Sequence, residues 1–215
     1  MREAYMLAKQ IAETLLKIKA VSVVDEDQLY TWASGIKSPV YCDNRMTISY
    51  PEVRKMIAKG FADRIKSDYP DVDVIAGTAT AGIPHAAWVA DLLDLPMIYV
   101  RSGSKAHGKS KQIEGVLAKG QKVVLIEDLF STGGSSINAC EALSESGATI
   151  LGVLAIFSYN FDVVTEAFNK LGISFGTLSD YNTLLPIAVA QGYIQEEKLS
   201  VLSKWSKNPR MFTEA

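Results

Sequence analysis

VVLIEDLFSTGGSSINACEAL, residues 123–143, runs from an apolar segment through two acids into a stretch of hydroxyl residues and glycines, and ends in a helical pattern. A strand here would carry the chain to the edge of a sheet, where Gly133 and Gly134 allow a tight turn and a close approach to a ligand. The helix that follows would present free N–H groups and the positive end of its dipole. Hydroxyl donors are supplied by Ser131, Thr132 and Ser135. This order of features predicts a phosphate-binding loop.

Glu127 and Asp128 stand directly before this loop, although phosphate is itself an anion. Carboxylates are good acceptors for paired hydroxyl groups and for hydrated Mg²⁺. A ribose 5-phosphate satisfies both halves of the stretch, because the acids take the sugar hydroxyls and the loop takes the phosphate. The other possibility is an ordinary strand–turn–helix corner whose acids face water. No Walker A lysine follows the glycines and no GxGxxG occurs, so a nucleoside triphosphate or dinucleotide site is not indicated.

Apolar strands and amphipathic helices alternate along most of the chain. Strands are predicted at 72–76, 97–100, 123–126, 150–157 and 173–178. Helices are predicted at 4–18, from Pro51, from Pro84 to about Leu93, from Ser135 or Ser136, at 162–171, and in two C-terminal stretches. This alternation indicates an α/β fold with a parallel sheet flanked by helices, in which ligands bind at the carboxyl ends of the strands. Residues 20–48 lack a helical period and are predicted to form a small irregular or β-rich segment.

Length and composition narrow the class of protein. The 215 residues suit one domain, and we expect a single domain over 1–215. A net charge of −2, with 48% hydrophobic and 21% charged residues, is typical of a globular protein and does not indicate nucleic-acid binding. No apolar run reaches the ~20 residues of a membrane span and the first residues do not resemble a signal peptide, so a cytoplasmic location is expected. Cys42 and Cys140 are far apart and no His/Cys cluster occurs, so no protein-held metal site is predicted.

The stretch VVLIEDLFSTGGSS resembles the 5-phosphoribosyl 1-pyrophosphate (PRPP) motif of the type I phosphoribosyltransferases. The resemblance implies a parallel-sheet core with a small N-terminal hood, formed here by residues about 20–48, that selects the base. It also implies PRPP binding by Glu127, Asp128, Leu129, Phe130, Ser131, Thr132, Gly133, Gly134 and Ser135. Residues 77–86, GTATAGIPHA, are similar to the family's loop on the pyrophosphate side. Ala81 in this loop and Ala33 in the hood stand where some members have lysine.

A basic segment, YVRSGSKAHGKSKQIEG, occupies residues 99–115. It could be a solvated run of charge, but it is similar to the flexible catalytic loop of orotate phosphoribosyltransferases. The matching residues are Arg101, Lys105, His107 and Gly108, while Ser102 stands where many members have a second basic residue. The resemblance implies that Arg101, Lys105 and His107 bind PRPP and act as catalytic residues on the departing pyrophosphate. In that family the loop closes over the partner subunit's site, which implies a homodimer with shared active sites.

LYTWASGIKSPVYCDNR, residues 29–45, resembles the base-binding hood motif of orotate phosphoribosyltransferases. The matching positions are Ser34, Gly35, Ser38, Pro39, Tyr41, Asp43 and Arg45. Orotate is a flat, carboxylated pyrimidine, and an aromatic face can pack on its ring. The resemblance implies that Ser131, Tyr41 and Lys37 contact orotate. The other possibility is that Lys37, Tyr41 and Arg45 only fasten the hood to the core.

These resemblances imply transfer of ribose 5-phosphate from PRPP to orotate in pyrimidine biosynthesis, giving orotidine 5′-monophosphate and pyrophosphate, with Mg²⁺ carried mainly by PRPP. One alternative is a purine phosphoribosyltransferase, which is expected to lack the SGIKSP stretch and the Lys-x-His-Gly core. The other is a PRPP-sensing regulator that binds nucleic acid, which would need a basic surface that a net charge of −2 does not favour. The expected partners are therefore PRPP, orotate and a second copy of the chain, with no nucleic acid and no membrane.

Overall fold

The computed structural model describes residues 2–24, 28–32, 34–103 and 112–213. The strands of the N-terminal segment are β1 (Val21–Val23), β2 (Tyr30–Thr31), β3 (Lys37–Ser38) and β4 (Val40–Cys42). The strands of the central sheet are β5 (Val74–Thr78), β6 (Met97–Val100), β7 (Ile113–Glu114), β8 (Lys122–Phe130), β9 (Thr149–Ser158) and β10 (Phe175–Asp180). The α-helices are α1 (Arg2–Lys17), α2 (Pro51–Asp68), α3 (Gly82–Leu93), α4 (Gly134–Glu145), α5 (Asp162–Leu171), α6 (Tyr181–Ala190) and α7 (Leu199–Lys207). Short 3₁₀ helices cover Asn44–Ser49 and Glu196–Lys198.

The central sheet has the strand order β10-β9-β8-β5-β6-β7, and its strands pair in parallel except β7. The predicted α/β fold, with a parallel sheet flanked by helices, is therefore confirmed. β7 adds an antiparallel edge, in which Tyr99 pairs with Glu114 and Val100 pairs with Ile113. The sequence predicts no strand there, because two residues are too few to show a period.

β8 is longer than its sequence pattern predicts, since it continues past residue 126 to Phe130. The cause is its pairing with β9, which holds Leu129 opposite Phe157 and Phe130 opposite Ser158. The two acids of the opening stretch therefore lie in the strand and not in the loop. Their charge interrupts the apolar run from which the strand is inferred, so the sequence pattern ends it too early.

The other element boundaries agree with the sequence pattern or shift by one or two residues. The helix predicted from Pro51 and the helix predicted at 162–171 begin where expected. β5 and β10 each begin two residues later than predicted. α3 begins at Gly82 rather than at Pro84, because a proline is tolerated inside the first turn of a helix.

The middle of the sheet is buried on both faces. Inner strands β5, β8 and β9 carry apolar side chains that are 0% exposed, among them Ile75, Leu125 and Ile156. α2 packs against α3 and β10. Its buried residues include Val53, Ile57, Phe61 and Ile65, which recur at helical spacing along one face. Burial of one such side chain contributes roughly 1.5–3 kcal/mol to the stability of the fold. The packed core therefore holds the ends of these strands in fixed positions.

Trp205 of α7 fastens the N-terminal segment to the core. Its ring is 0% exposed, and its Nε1–H donates to the Lys37 carbonyl oxygen over 3.1 Å. The ring of Phe161 lies 5.3 Å from it, and the rings of Trp32 and Tyr159 lie 5.8 Å from it. Such aromatic pairs contribute about 0.5–1.5 kcal/mol each beyond the area they bury. The C-terminal helix therefore holds the β2–β3 hairpin in place.

His85 joins α3 to the 3₁₀ helix that follows β4. The side chain is fully buried, and its Nε2 lies 3.3 Å from Thr47 Oγ1. Thr47 Oγ1 donates its hydrogen bond to the Asn44 carbonyl oxygen over 2.6 Å, so it can only accept from His85. We therefore assign the donor role in the His85–Thr47 hydrogen bond to Nε2. Nδ1 has no hydrogen-bond partner among the described residues. Burial lowers the pKa of His85 to about 4.

We expect acid to destabilise the fold through His85. The unfolded chain takes up the imidazole proton near pH 6.5, whereas the folded protein takes it up near pH 4. The unfolded state binds more protons in this window, so the stability contributed by neutral His85 is complete above pH 6.5 and is lost as the pH falls. From pH 6.5 to about 4.5, the free energy of unfolding should drop by about 2 kcal/mol more in wild type than in His85→Gln. Urea unfolding across this range measures the difference, and parallel pH curves for the two proteins would contradict it.

Candidate active site

The carboxyl ends of β5, β8 and β9 face the N-terminal segment across a cavity of about 630 Å³. The sheet side of the cavity is formed by the loop after β5, the last residues of β8 with the loop into α4, and the residue after β9. The opposite side is formed by β4 and the residues near β2. In an open α/β sheet this edge is where ligands bind, so the cavity is the candidate active site.

Glu127 lies in the floor of this cavity with 3% of its surface exposed. Its Oε1 accepts a hydrogen bond from the Asp128 N–H over 3.0 Å. Its Oε2 accepts from the hydroxyls of Ser136 over 3.0 Å and Ser135 over 3.4 Å. Burial raises the pKa of Glu127 well above its usual range, and the charge of Asp128 raises it further. Glu127 therefore ties the strand end to the start of α4, and Oε1 keeps a lone pair for a ligand.

Asp128 is the more exposed of the two acids and also lines the cavity. Its main-chain carbonyl oxygen accepts a hydrogen bond of 2.7 Å from Nδ2 of Asn44, a fully buried side chain. This bond fixes the end of β8 to the segment that follows β4. Burial raises the pKa of Asp128, and the Arg45 guanidinium counteracts that rise. The carboxylate of Asp128 is thus the acceptor in this floor with the better access to a ligand.

The loop after β8 turns at Gly133, which has a φ of +80° and caps the N-terminus of α4. Residues with a Cβ rarely adopt this conformation, so the glycine is required by the turn. α4 begins at the next residue, and the positive end of its dipole lies beside the cavity. Three hydroxyl side chains of this loop line the cavity, Ser131, Thr132 and Ser135. The turn, the helix start and the hydroxyls form the kind of anion site that the sequence predicts.

A second loop, made of Ala79, Thr80 and Ala81, lines the cavity after β5. α3 then begins at Gly82, which lies close against the main chain of β8 at Ile126 and Glu127. A Cβ at Gly82 would overlap the main-chain carbonyl oxygen of Ile126. This close approach sets the second loop beside the two acids.

Gly82→Ala should destabilise the protein by about 1–3 kcal/mol, because the added methyl meets backbone that cannot rotate away. Gly134→Ala is a matched control at the start of the neighbouring helix, where a Cβ meets nothing within 4 Å. That variant should be as stable as wild type or up to about 1 kcal/mol more stable. Chemical unfolding of the three proteins decides the point, and equal stability of Gly82→Ala and wild type would refute it.

The hood side of the cavity is formed by β4 and the residues that follow it. Tyr41 is 38% exposed, and its ring lies 5.3 Å from the ring of Tyr30. Arg45 donates from Nε to Asp43 Oδ1 over 2.6 Å and from Nη2 to Oδ2 over 2.8 Å. The hydrogen bond and charge of Arg45 lower the pKa of Asp43, and Asp43 in turn raises the pKa of Arg45. This wall therefore offers an aromatic face together with a paired guanidinium.

Half of the twelve residues predicted to bind PRPP line this cavity, namely Glu127, Asp128, Leu129, Ser131, Thr132 and Ser135. Tyr41, which is predicted to contact orotate, lines it on the hood side. Phe130 differs from these, because its side chain is 0% exposed and packs against Phe168 and Phe175 in the core. Any contact of Phe130 with PRPP is therefore restricted to its main chain.

The structure places Lys37 and Arg101 away from the lining of this cavity, as far as the described residues define it. The Lys37 side chain is exposed, while its main chain is held by the C-terminal segment. Arg101 directly follows β6, and its Nη1 lies 3.6 Å from Glu114 Oε1. The other two predicted catalytic residues, Lys105 and His107, lie outside the described residues.

Sequence reasoning misses three residues that shape the site, namely Trp32, Asn44 and Tyr159. Trp32 and Tyr159 line the cavity, and Asn44 holds the main chain of the acid pair. The signal for Tyr159 is its position directly after an apolar strand, because all the parallel strands end at the same edge of the sheet. The other two lie inside the quoted hood motif, whose residue types alone do not indicate their contacts.

The described part of the chain contains neither a metal-binding cluster nor a membrane-spanning helix. No group of three or more His, Cys, Asp or Glu side chains in those ranges could hold a metal ion. None of the described helices is long and apolar enough to cross a bilayer. A Mg²⁺ ion that arrives bound to phosphate needs only one or two protein carboxylates, and Glu127 and Asp128 are of the right kind for that.

Known proteins match this chain over nearly its whole length. The phosphoribosyl transferase domain family matches residues 44–164, which include the acids and the loop into α4. The orotate phosphoribosyltransferase of Listeria innocua is 55% identical over 206 residues, which cover 96% of this chain and 98% of the Listeria protein. The chain belongs to the orotate phosphoribosyltransferase family.

Two further orotate phosphoribosyltransferases extend the comparison. The protein of that name from Enterococcus faecalis is 55% identical over 94% of this chain and 96% of its own. The crystal structure of the orotate phosphoribosyltransferase from Aeropyrum pernix superposes with a TM-score of 0.74 at 27% identity, over 86% of this chain and 99% of that one. The resemblance stated from the sequence is thereby confirmed, and the cavity lies in a fold that orotate phosphoribosyltransferases share.

Proposed function

We propose that this protein transfers ribose 5-phosphate from PRPP to orotate, giving orotidine 5′-monophosphate and pyrophosphate. The observation that carries the proposal is the cavity between the strand ends and the hood. Its sheet side combines two carboxylates with a hydroxyl–glycine loop and a helix N-terminus, which suits a phosphosugar. Its hood side presents the exposed ring of Tyr41, which suits a flat base. Relatives named orotate phosphoribosyltransferase, at 55% identity, support the same reaction.

PRPP would lie with its phosphate in the loop and its ribose over the acids. The 5-phosphate would accept hydrogen bonds from Ser131, Thr132 and Ser135 and from the free N–H groups around Gly133 and Gly134. Glu127 and Asp128 would accept hydrogen bonds from the ribose hydroxyls. Leu129 would contact the sugar from the end of β8, and Phe130 would take part through its main chain.

Orotate would lie between the sheet edge and the hood. The exposed ring of Tyr41 would pack on the pyrimidine, and Ser131 would contact it from the phosphate loop. Lys37 stays a proposed contact of orotate on the strength of the family resemblance, and its exposed side chain would have to reach in from outside the described lining of the cavity. The Asp43–Arg45 pair would form the rim of this half of the cavity.

The ring nitrogen of orotate would attack the anomeric carbon of PRPP while the bond to pyrophosphate breaks. Arg101, Lys105 and His107 would stabilise the charge that develops on the departing pyrophosphate. Arg101 stands at the root of the basic segment, where Glu114 lies beside it. Asp128, the more exposed acid of the floor, would hold the Mg²⁺ that accompanies PRPP, and the ion would supply positive charge for the pyrophosphate.

We further propose that the enzyme is a homodimer in which the basic segment of one subunit serves the active site of the other. The chain would act as one domain over residues 1–215, with residues 20–48 as the hood that selects the base. The cytoplasm is the proposed location, as the sequence composition suggests.

Mixing the protein with orotate, PRPP and Mg²⁺ and following the loss of orotate absorbance tests the reaction directly. We expect absorbance to fall, with orotidine 5′-monophosphate and pyrophosphate appearing in equal amounts. A chelator added before PRPP should stop the reaction, because PRPP is expected to bind as its Mg²⁺ complex. A PRPP-sensing regulator would bind PRPP and leave orotate unchanged, and that result would overturn the proposal.

A further inference from the structure

Tyr159 connects the end of β9 to the hood strand β4. The residue directly follows β9, is 1% exposed and contributes to the lining of the cavity. Its hydroxyl oxygen accepts a hydrogen bond from the main-chain N–H of Cys42 over 2.8 Å. The two residues are 117 positions apart in sequence, so this one bond joins the sheet edge to the hood.

The Cys42 amide belongs to the same peptide plane as the Tyr41 carbonyl group, so the bond to Tyr159 orients the peptide next to the exposed Tyr41 ring. On its other side β4 is held by β1, with Cys42 opposite Val21. The Cys42 residue is only 4% exposed. A buried amide that loses its acceptor carries the full desolvation cost, so without the Tyr159 oxygen this end of the hood should move to find another partner.

The position of the Tyr159 oxygen is itself well defined. The ring stacks on Phe161 at 5.5 Å and lies 4.9 Å from the ring of Trp32 and 5.8 Å from that of Trp205. Burial raises the pKa of Tyr159, so the hydroxyl stays neutral over the working range of the protein. Because the Tyr159 ring is packed on several sides, its hydroxyl can hold the Cys42 amide in a fixed position relative to the end of β9.

We propose that Tyr159 is a positioning residue that sets the affinity for orotate, by fixing the Cys42 amide and with it the Tyr41 side of the base site. The inference rests on the proposed orotate reaction. The phosphosugar side is held by different bonds, those of Glu127 to Ser136 and to the Asp128 amide. Loss of the Tyr159 hydroxyl should therefore affect the base more than PRPP.

Tyr159→Phe tests this role, because it removes the hydroxyl and keeps the ring. We expect the KM for orotate to rise about tenfold, while kcat at saturation and the KM for PRPP change by less than about threefold. Tyr181→Phe is the matched control. Its ring lies 6.0 Å from that of Tyr159 in the same cluster, and its hydroxyl has no hydrogen-bond partner among the described residues. All three constants of Tyr181→Phe should stay within about twofold of wild type, because no bond is lost.

An unchanged KM for orotate in Tyr159→Phe would overturn the proposal. A fall in kcat together with similar rises in the KM for orotate and the KM for PRPP would also overturn it, because that pattern indicates a merely structural role. Should wild type fail to consume orotate, the proposed reaction itself would be wrong, a result distinct from either of these. Hydrogen–deuterium exchange of wild type needs no variant. Orotate should slow amide exchange at residues 40–44 more than PRPP does. An exchange rate at these residues that is unchanged by orotate would also overturn the proposal.

Discussion

Replacing Asp128 with asparagine should lower kcat/KM for PRPP by roughly ten- to a hundredfold, because a hydrogen bond to a charged group is worth about 1.5–3 kcal/mol. The change keeps the shape of the side chain and removes an ionised acceptor from the floor of the cavity. The main-chain bond from Asn44 to Asp128 does not involve the side chain, so the strand end should stay in place. Steady-state kinetics with PRPP varied at saturating orotate measure the loss.

The matched control for Asp128→Asn is Asp63→Asn on α2. Asp63 is 59% exposed in an i,i+4 pair with Lys59, and such surface pairs contribute little to stability, so this variant should keep wild-type kinetics.

The effect of Asp128→Asn should also depend on pH. Burial raises the pKa of Asp128, so on acidification its carboxylate is protonated at a higher pH than that of an ordinary aspartate. The ratio of wild-type to Asp128→Asn activity should therefore shrink toward low pH. Wild-type kinetics in a folded Asp128→Asn protein would refute the ribose-binding role.

Replacing Lys105 with alanine should lower kcat by roughly a hundredfold or more. At an effective dielectric of about 20, two unit charges about 4 Å apart interact by on the order of 4 kcal/mol. Part of that interaction develops only as pyrophosphate departs, so it appears in kcat and not only in binding. Lys170→Ala, which removes an exposed lysine from the end of α5, should leave kcat unchanged. Equal activity of Lys105→Ala and Lys170→Ala would remove Lys105 from the mechanism.

Mixing the two impaired variants, Lys105→Ala and Asp128→Asn, tests whether active sites are shared. After subunit exchange about half of the dimers pair a Lys105→Ala chain with an Asp128→Asn chain. If the basic segment serves the partner's site, each hybrid has one site with both groups intact. Activity should then recover to roughly a quarter of wild type. No recovery, with exchange proven by differently tagged chains, would mean that the segment serves its own subunit.

The sequence predicts the arrangement of the sheet side of the cavity well, because its parts are local. Two acids, three hydroxyl side chains that line the cavity and two glycines follow one apolar run within a few residues, and their chemistry can be inferred without knowledge of distant contacts. The end of β8 is the part that local reasoning misplaces, since the strand is extended to Phe130 by its pairing with β9. β7 is missed for the same reason, because its two residues form a strand only through their pairing with β6.

The hood side is harder to predict, because its decisive contacts join distant parts of the chain. The bond between Tyr159 and the Cys42 amide spans 117 positions, and the bond between Asn44 and the Asp128 carbonyl spans 84. Trp205 reaches the Lys37 carbonyl across 168 positions. A single sequence gives the residue types of these partners but not their meeting in space, so only a resemblance to a family could assign this segment to the base.

Base selectivity tests the central claim most directly. The protein is supplied with limiting PRPP, Mg²⁺ and equal concentrations of orotate, adenine, guanine and hypoxanthine, and the nucleotide products are separated and quantified. We expect orotidine 5′-monophosphate to account for essentially all of the product. A purine nucleoside monophosphate in comparable amount would contradict the assignment of the hood to orotate and, with it, the proposed function.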